Sequence, residues 1–393
     1  MADAADSRPQ AFDLTPDELA ALFVEHGLAK FRAAQVLDWV YRKGIVDPRL
    51  MTNLSAADRD KIAGLLSFTV GTVVREQQAT DATRKLLIDW SDNADAPASR
   101  SLLTIADDGS AYAGDRTECV MIPADEGRRR TACISSQVGC PVGCRFCASG
   151  LGGLDRNLTA GQIVEQAWRL AWMDDEASRR ARDQGGGGLS NIVFMGMGEP
   201  LANYAAVTRA ITTLTADWGM NLSARKVTLS TVGLPAQIRR LADAGLPPIT
   251  LAVSLHAPND ALRREIIPWA ERVSVSQLVD AGRYYFDRTG REVTLEYILL
   301  GGLNDRPAHA RELAAVAQRL RSNVNLIRYN EVAGLPYARP ADDDVHRFQR
   351  VLRDRGVNAH VRASRGRDIA AACGQLRHEA AKERQPAASP ASA

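Results

Sequence analysis

The chain has 393 residues, of which 45% are hydrophobic, and its 49 basic and 47 acidic side chains leave a net charge of +2. This length and composition are typical of a protein with a buried core and one large or two to three modest domains, and they exclude a fibrous chain or one that is disordered throughout. A charge so close to zero neither requires nor excludes a nucleic-acid partner, so any basic surface must be local.

The first part of the chain predicts a helical N-terminal domain over residues 11–66. The run Thr15–Glu18 has the pattern of a capping box with proline at the first helical position, which predicts that a helix begins there. A second helix is predicted over 31–43 and a third from Ser55. Residues 1–10 lack apolar periodicity, and we expect them to be disordered.

Residues 67–122 alternate polar and apolar side chains with a period near two, which predicts a small β-rich connector. Its predicted strands are Phe68–Val74, Lys85–Trp90, Ser101–Ile105 and Glu118–Ile122.

From residue 123 to residue 376, predicted strands alternate with helical stretches, which favours parallel βα units. The six predicted strands are Thr131–Ser136, Asn191–Gly196, Lys226–Thr231, Ile249–His256, Glu292–Leu300 and Asn323–Asn330. The helices between them are predicted near 160–182, 204–217, 235–244, 275–288 and 308–321. We therefore expect an α/β fold, an incomplete TIM-like (β/α)6 barrel, with its chemistry at the carboxyl ends of the strands. The tail, 377–393, is expected to be disordered.

Three of the six cysteines stand within eight residues, in the pattern Cys140-x-x-x-Cys144-x-x-Cys147. They follow the first predicted barrel strand, where an active site is expected in this fold. Three thiolates on a four-iron cluster leave one iron open for catalysis, whereas a structural zinc ion takes four closed ligands. A zinc site with Cys133 as the fourth ligand is the alternative.

Cysteine usage and the apolar pattern also bear on the compartment. Six cysteines in so long a chain are too few for a disulfide scaffold, and the first thirty residues hold acidic side chains without an apolar core. No segment approaches the roughly 18 uncharged apolar residues that indicate a membrane span. We therefore expect a cytoplasmic protein that does not enter a membrane.

The cysteine motif, with Phe146 before its last cysteine, resembles the signature of radical S-adenosylmethionine (SAM) enzymes. The resemblance implies a radical SAM barrel with one [4Fe-4S] cluster, which Cys140, Cys144 and Cys147 would hold and whose open iron would bind SAM. The second predicted strand ends in Met197-Gly198-Glu199-Pro200, which is similar to the Gly-Glu-Pro element of that superfamily. By this resemblance, Gly198 and Glu199 would hold the ammonium group of the cofactor through a charge-assisted hydrogen bond.

Four passages resemble a narrower family, the rRNA and tRNA adenine-C2 methyltransferases, and the similarity covers nearly the whole chain. These passages are 133–140, 156–161, 254–260 and 366–376. The resemblance implies a radical methyltransferase that modifies C2 of adenine in 23S rRNA, at the peptidyl-transferase centre, and in the anticodon loop of tRNA. We further expect RNA binding by the helical N-terminal domain, an electron donor such as flavodoxin or ferredoxin, and a monomeric protein.

The same resemblance implies roles for three further residues. Cys373 would accept a methyl group from one SAM molecule and carry it as S-methylcysteine into a radical step driven by a second. This route suits the target, because adenine C2 is an electron-poor carbon that polar methyl transfer does not reach. Cys133 would release the protein–RNA linkage by forming a transient disulfide with Cys373, and Glu118 would be the proton acceptor.

Residues at the ends of three predicted strands match the cofactor pocket of that family. Because barrel strands end on the same side of the fold, we expect these residues to meet around one ligand. They are Ser230, Ser254, Leu255, His256 and Asn330. We assign His256 no role in proton transfer.

Two other functions stay open on the sequence. Related resistance methyltransferases modify adenine C8 and share the cysteine motif, the Gly-Glu-Pro element and the paired cysteines; the helical N terminus and the overall match favour C2. The other is a zinc-stabilised RNA-binding module without catalysis, which would leave Glu199 and Cys373 without a purpose.

Overall fold

A computed structural model describes residues 8–91, 115–124, 129–173 and 188–376. Its α-helices are α1 (Pro16–Glu25), α2 (Arg32–Lys43), α3 (Ala56–Leu65), α4 (Ala160–Ala171), α5 (Tyr204–Thr215), α6 (Pro235–Ala242), α7 (Asp260–Ile266), α8 (Val275–Thr289), α9 (Pro307–Ala317) and α10 (Asp342–Asp354). Its strands are β1 (Thr72–Gln78), β2 (Arg84–Asp89), β3 (Arg116–Ala124), β4 (Arg129–Cys133), β5 (Gln137–Gly139), β6 (Leu154–Asn157), β7 (Asn191–Phe194), β8 (Val227–Thr231), β9 (Thr250–Ser254), β10 (Val293–Leu299), β11 (Ser322–Arg328) and β12 (Ala359–Arg362). Within these described ranges, no helix is both long enough and apolar enough to cross a membrane.

Ten strands form one sheet in the order β1-β2-β3-β4-β7-β8-β9-β10-β11-β12. Strands β1 to β4 pair antiparallel, and the pairs from β4 to β12 are all parallel. The parallel strands follow one another in chain order, as they do in a TIM-like barrel, so their carboxyl ends share one side of the sheet. Among the described strands, β1 and β12 do not pair with each other, and the predicted incomplete α/β barrel is confirmed.

The sheet differs from the prediction at its two ends. A seventh parallel strand, β12, follows α10; the sequence pattern missed it because it is only four residues long. At the other end, β1, β2 and β3 extend the barrel sheet itself and do not form a separate β unit. The predicted strand Phe68–Val74 is shifted, since β1 begins at Thr72, and the predicted strand Ser101–Ile105 lies outside the described residues.

The N-terminal helices form as predicted and pack on the barrel. The Thr15 hydroxyl accepts from the Glu18 amide, and the Glu18 carboxylate accepts from the Thr15 amide, which completes the capping box. The side chain of Trp168 on α4 donates to the carbonyl of Val40 on α2 (2.9 Å). Gln10, in the segment expected to be disordered, is buried and donates to Glu165 (2.8 Å). One apolar core therefore runs from α1 to the barrel helices.

Candidate active site

The three clustered cysteines lie on the loop that joins β5 to β6, near the carboxyl end of β4. The amide of Cys140 donates to the carbonyl of Gly153 (2.8 Å), which closes the base of the loop. The amide of Cys147 donates to the carbonyl of Cys144 (3.0 Å), and Gly143 has a φ of +68°, a left-handed conformation that glycine adopts without strain. The loop thus turns tightly enough to bring its three thiols to one side.

These thiols line one cavity with residues from the ends of β7, β8 and β9. Five of the seven residues predicted to bind the cofactor are in its wall. They are Gly198, Glu199, Ser230, Ser254 and His256. The structure therefore places the three cysteines and most of the predicted cofactor residues around a single space.

The surroundings of the thiols fit an iron–sulfur cluster. Val142, Phe146 and Ile266 belong to an apolar cluster against which the three cysteines pack. Burial raises the pKa of Cys140 to about 12 and also raises the pKa of Cys147, so these thiols stay protonated near neutral pH when no metal is bound. Metal binding would release the protons, because the ligand is the thiolate.

The spacing of the sulfur atoms is also compatible with a cluster. Over the ranges that the structure describes, no three His, Cys, Asp or Glu side chains come close enough together to hold one ion. A [4Fe-4S] cluster does not need that convergence, because each thiolate binds a different iron.

A buried cation acts on the central cysteine of the motif. Burial raises the pKa of Cys144 well above its ordinary value, and the neighbouring Cys147 and Cys140 raise it further. The positive charge of Arg263 opposes this increase.

Glu199 is a buried carboxylate at the end of β7. Its Oε1 accepts from the amide of Leu201 (3.0 Å) and its Oε2 from the amide of Val232 (2.7 Å). Burial raises its pKa to about 7, although these hydrogen bonds lower it. Beside it, Gly198 has a φ of +105°, and a Cβ there would lie 2.7 Å from the Cβ of Gln137, so only glycine fits.

Ser230 and Ser254 stand side by side on β8 and β9, with their hydroxyl oxygens 3.2 Å apart. Leu255 is placed differently: its side chain is buried, and it is not among the described residues that line the cavity. Its backbone amide donates to the carbonyl of Glu296 (3.0 Å), and its own carbonyl accepts from Arg263 (3.1 Å). Leu255 thus fixes the end of β9.

His256 is held as a neutral ring. Its Nδ1 accepts from the amide of Ile298 (3.1 Å), so the proton lies on Nε2. Burial lowers its pKa to about 3. The ring meets Phe146 edge-on at 5.1 Å between centroids. This setting fits the interpretation that His256 shapes the cavity and does not transfer protons.

Cys373 is exposed and lines both this cavity and a second one beside it. Cys133, the last residue of β4, lines the second cavity, and so does Asn330, which we expected in the cofactor pocket. The carbonyl of Gly374 accepts from the amide of Ala148 (2.7 Å), which ties the Cys373 segment to the loop of the three cysteines. The two remote cysteines therefore line the same second cavity, and Cys373 also lines the first.

Three arginines surround the second cavity: Arg129, Arg362 and Arg365. Arg362, on β12, also lines the first cavity. Burial raises the pKa of Cys133 to about 11, and the charge of Arg362 opposes that increase.

Glu118 is not among the described residues that line either cavity. It is 2% exposed and forms a buried ion pair with Lys85 of β2, with Nζ 2.9 Å from Oε1. Lys85 also donates to the carbonyl of Ala370 (3.3 Å), three residues before Cys373. The predicted proton acceptor is thus linked to the Cys373 segment through Lys85, and its role in proton transfer stays a prediction.

Sequence reasoning missed several residues of this site. Glu296 lines the first cavity and accepts from Asn325 (2.8 Å); a carboxylate inside the apolar run of β10 was a signal that could have been read. Arg362 was not assigned to the site, because β12 was not predicted. Arg263 lies in a run that has the pattern of an exposed helix face, which gives no sign that it is buried.

Two family models match the chain. Residues 134–314 match the radical SAM superfamily, and residues 11–67 match the N-terminal domain of the ribosomal RNA large subunit methyltransferases. The first match contains the cysteine motif and the ends of β7 to β10, and the second coincides with the three N-terminal helices.

Individual relatives extend the match over almost the whole chain. A probable dual-specificity RNA methyltransferase RlmN from Salinibacter ruber is 43% identical over 361 residues, which cover 90% of each chain. A protein of the same name from a Synechococcus strain is 43% identical over 92% of this chain and 95% of its own. The crystal structure of a radical SAM methyltransferase from Sphaerobacter thermophilus superposes with a TM-score of 0.82 at 42% identity and covers 94% of this chain and 99% of that one.

Proposed function

This chain belongs to the RlmN family of radical SAM RNA methyltransferases, and from that membership we propose that it methylates C2 of adenine by way of a methyl group on Cys373. The proposed targets are 23S rRNA at the peptidyl-transferase centre and the anticodon loop of tRNA. The non-catalytic zinc-module alternative does not agree with this family.

The position of Cys373 is the observation that carries the proposal. This residue belongs to the wall of the cavity that holds the three cysteines and also to the wall of the arginine-lined cavity. A group that must take a methyl from a cofactor and deliver it to RNA has to reach both partners. Of the six cysteines, Cys373 is the one that lines both cavities.

On the cofactor side, Cys140, Cys144 and Cys147 would hold a [4Fe-4S] cluster, and SAM bound there would supply both the methyl group and a carbon radical. Glu199 would accept a hydrogen bond from the amino group of SAM, since this residue lines the cavity. Ser230 and Ser254 would offer hydroxyl groups to the same ligand. The neutral ring of His256 and the side chain of Phe146 keep the wall between them apolar.

On the RNA side, the second cavity combines positive charge with the two thiols. Arg129, Arg362 and Arg365 suit the phosphates of a nucleotide, and Asn330 can pair with a base edge. The target adenine would have to leave its stack to enter, which single-stranded loops allow at low cost. The helical domain, which we place at 11–66, would bind the surrounding RNA.

Completion of the reaction would need Cys133 and Glu118. All six cysteines are free thiols, so Cys133 is available to attack the Cys373 sulfur and release the RNA. Glu118 would take the C2 proton after exchanging Lys85 for the bound base, a movement that the Cys373 segment would have to permit. We further propose that the protein acts as a monomer in the cytoplasm and takes its electrons from a flavodoxin or ferredoxin.

The test is the position of the new methyl group. The cluster-loaded protein would be incubated without oxygen with a reductant, isotopically labelled SAM, and either rRNA or tRNA, and the nucleosides identified by mass spectrometry. Labelled 2-methyladenosine is the expected product. Label at C8 would place the protein with the resistance methyltransferases, and unmodified RNA would contradict the proposal.

A further inference from the structure

Arg263, on α7, is a fully buried arginine whose hydrogen-bond acceptors among the described residues are all backbone carbonyls. Its side chain is 0% exposed. It donates to the carbonyls of Val232 (2.6 Å), Leu255 (3.1 Å), Ser254 (3.4 Å) and Val273 (3.4 Å). Among the described residues, no aspartate or glutamate lies within ion-pair distance of its guanidinium. A cation has therefore been taken out of water without an acidic partner.

Such burial is unfavourable unless another charge offsets it. Burial lowers the pKa of Arg263 to about 10, so the side chain remains charged at neutral pH. Asp260 lies one turn earlier on the same helix. The carboxylate of Asp260 is already engaged by the amide of Val275 (2.6 Å). Two of the four carbonyl partners, those of Val232 and Ser254, belong to residues that line the cavity of the three cysteines, so cluster-bound thiolates would be a counter-charge close to the guanidinium.

The backbone places α7 directly against that loop. The amide of Arg145 donates to the carbonyl of Ile266 at the end of α7 (3.0 Å). Ile266 and Ile267 belong to the apolar cluster against which Cys144 packs. Little water can separate the cation from the thiols in this apolar setting, so their interaction is weakly screened.

We propose that Arg263 is the buried counter-charge of the iron–sulfur site and that it raises the reduction potential of the cluster. Three thiolates and a core of two positive charges leave the oxidised site with one net negative charge. One electron from a low-potential donor, which is itself oxidised by one electron, doubles that negative charge, and no bond is made or broken. A fixed cation on the helix that packs against the cysteine loop would stabilise the reduced form more than the oxidised form.

The inference rests on the radical SAM family alone and not on the RNA target proposed above, so its test needs no RNA. Arg263→Gln and Arg263→Met remove the charge, and Arg263→Lys keeps it. Arg264→Gln is the matched control, because Arg264 is the next residue on the same helix and is exposed. The measurement is the midpoint potential of the reconstituted cluster, followed by electron paramagnetic resonance during titration with dithionite.

We expect the two neutral variants to increase the ratio of oxidised to reduced cluster at a fixed potential at least tenfold, a shift of 59 mV for a one-electron couple. Arg263→Lys and Arg264→Gln should stay within about twofold of the original protein. A ratio of oxidised to reduced cluster that stays within twofold in all variants would overturn the proposal. Arg263 would then serve only to hold the ends of β8 and β9 through its hydrogen bonds.

A second measurement decides the case in which the neutral variants bind no cluster. The thermal stability of each protein is then compared in the metal-free state. If metal-free Arg263→Met is as stable as the metal-free original, the charge is needed only for the cluster, which supports the role of Arg263 as the counter-charge of the iron–sulfur site. If metal-free Arg263→Met is unfolded, the role of Arg263 is to hold the fold through its hydrogen bonds to backbone carbonyls, and the proposal fails.

Discussion

Glu199 shows how burial prepares a single side chain for one ligand. Its pKa is raised to about 7 by burial, so a substantial fraction is protonated at neutral pH. Only the ionised carboxylate can accept two backbone hydrogen bonds and a further one from the amino group of SAM at full strength. The affinity of the site for SAM should therefore depend on pH in a range where free glutamate does not titrate.

We predict that SAM binds more tightly as the pH rises from 6 to 7.5, by roughly tenfold, because each pH unit below a pKa lowers the ionised fraction about tenfold. Glu199→Gln should weaken binding and remove this part of the pH dependence. Calorimetry on cluster-loaded protein without oxygen would measure both effects. The control is Glu265→Gln, which changes an exposed glutamate on α7, the helix that packs against the cysteine loop. An unchanged pH profile in Glu199→Gln would contradict the assignment.

The buried ion pair between Lys85 and Glu118 leads to a second prediction. Both side chains are almost completely buried, at 2% and 3% exposure, and their charged atoms lie 2.9 Å apart. Lys85→Met would leave the carboxylate buried without its cation, and it should lower the free energy of unfolding by about 3–5 kcal/mol. The double variant Lys85→Met/Glu118→Gln should recover much of the loss, because it buries no charge. Urea denaturation would measure both, and a loss below about 1 kcal/mol in the single variant would show that the pair is not needed.

At the scale of elements, the tip of the β1–β2 hairpin holds the segment that carries Cys373. The carboxylate of Asp81 accepts from the amide of Gly366 (3.0 Å), and the carboxylate of Asp368 accepts from the amide of Thr80 (2.8 Å). Lys85 adds its bond to the carbonyl of Ala370. The antiparallel extension of the barrel sheet therefore positions the thiol as well as completing the core.

Removal of one of these contacts should loosen the segment without unfolding the barrel. We predict that Asp81→Ala increases amide hydrogen exchange over residues 366–371 several-fold and leaves β7 to β11 unchanged, since local opening involves only the contacts that break. Asp243→Ala, which removes an exposed ion pair with Arg288, is the control. Equal exchange in Asp81→Ala and the original protein would mean that the hairpin does not hold the segment.

The elements also show where the sequence pattern was sufficient and where it was not. The capping box at Thr15 and the six barrel strands were predicted because each has a local physical signature. Strand β12 was missed, because four residues carry too little periodicity to distinguish a strand from a loop. It exists because α10 returns the chain to the free edge of β11, a tertiary effect.

Across the whole molecule, the cysteine motif and the Gly-Glu-Pro element predicted one side of the site, because their spacing reflects the ligand that they hold. The pairing of the two cavities through Cys373 could not be predicted, since it depends on how residues 363–376 fold back across the ends of β4 and β7. Asn330 and Glu118 illustrate the same limit. The sequence identified both residues as candidates. However, the cavity that Asn330 lines and the ion pair that Glu118 forms also involve residues from distant elements.

Radical chemistry and the binding of a charged RNA need different surroundings, and the molecule provides a separate cavity suited to each. The cysteine cavity is closed in by apolar side chains, which suits radical chemistry that water would disrupt. The second cavity carries arginines and is suited to a charged RNA. Cys373 lines both cavities, and the proposed reaction depends on the transfer of a methyl group from SAM to RNA by way of this residue.

The most direct measurement follows that methyl group. The protein would be loaded with deuterium-labelled SAM, freed of excess cofactor, and then given unlabelled SAM, reductant and RNA for a single turnover. We predict that label leaves Cys373 and is found on adenine C2 in the first product, and that Cys373→Ala gives no product. Unlabelled 2-methyladenosine in the first turnover, or full activity of Cys373→Ala, would contradict the claim that Cys373 carries the methyl group.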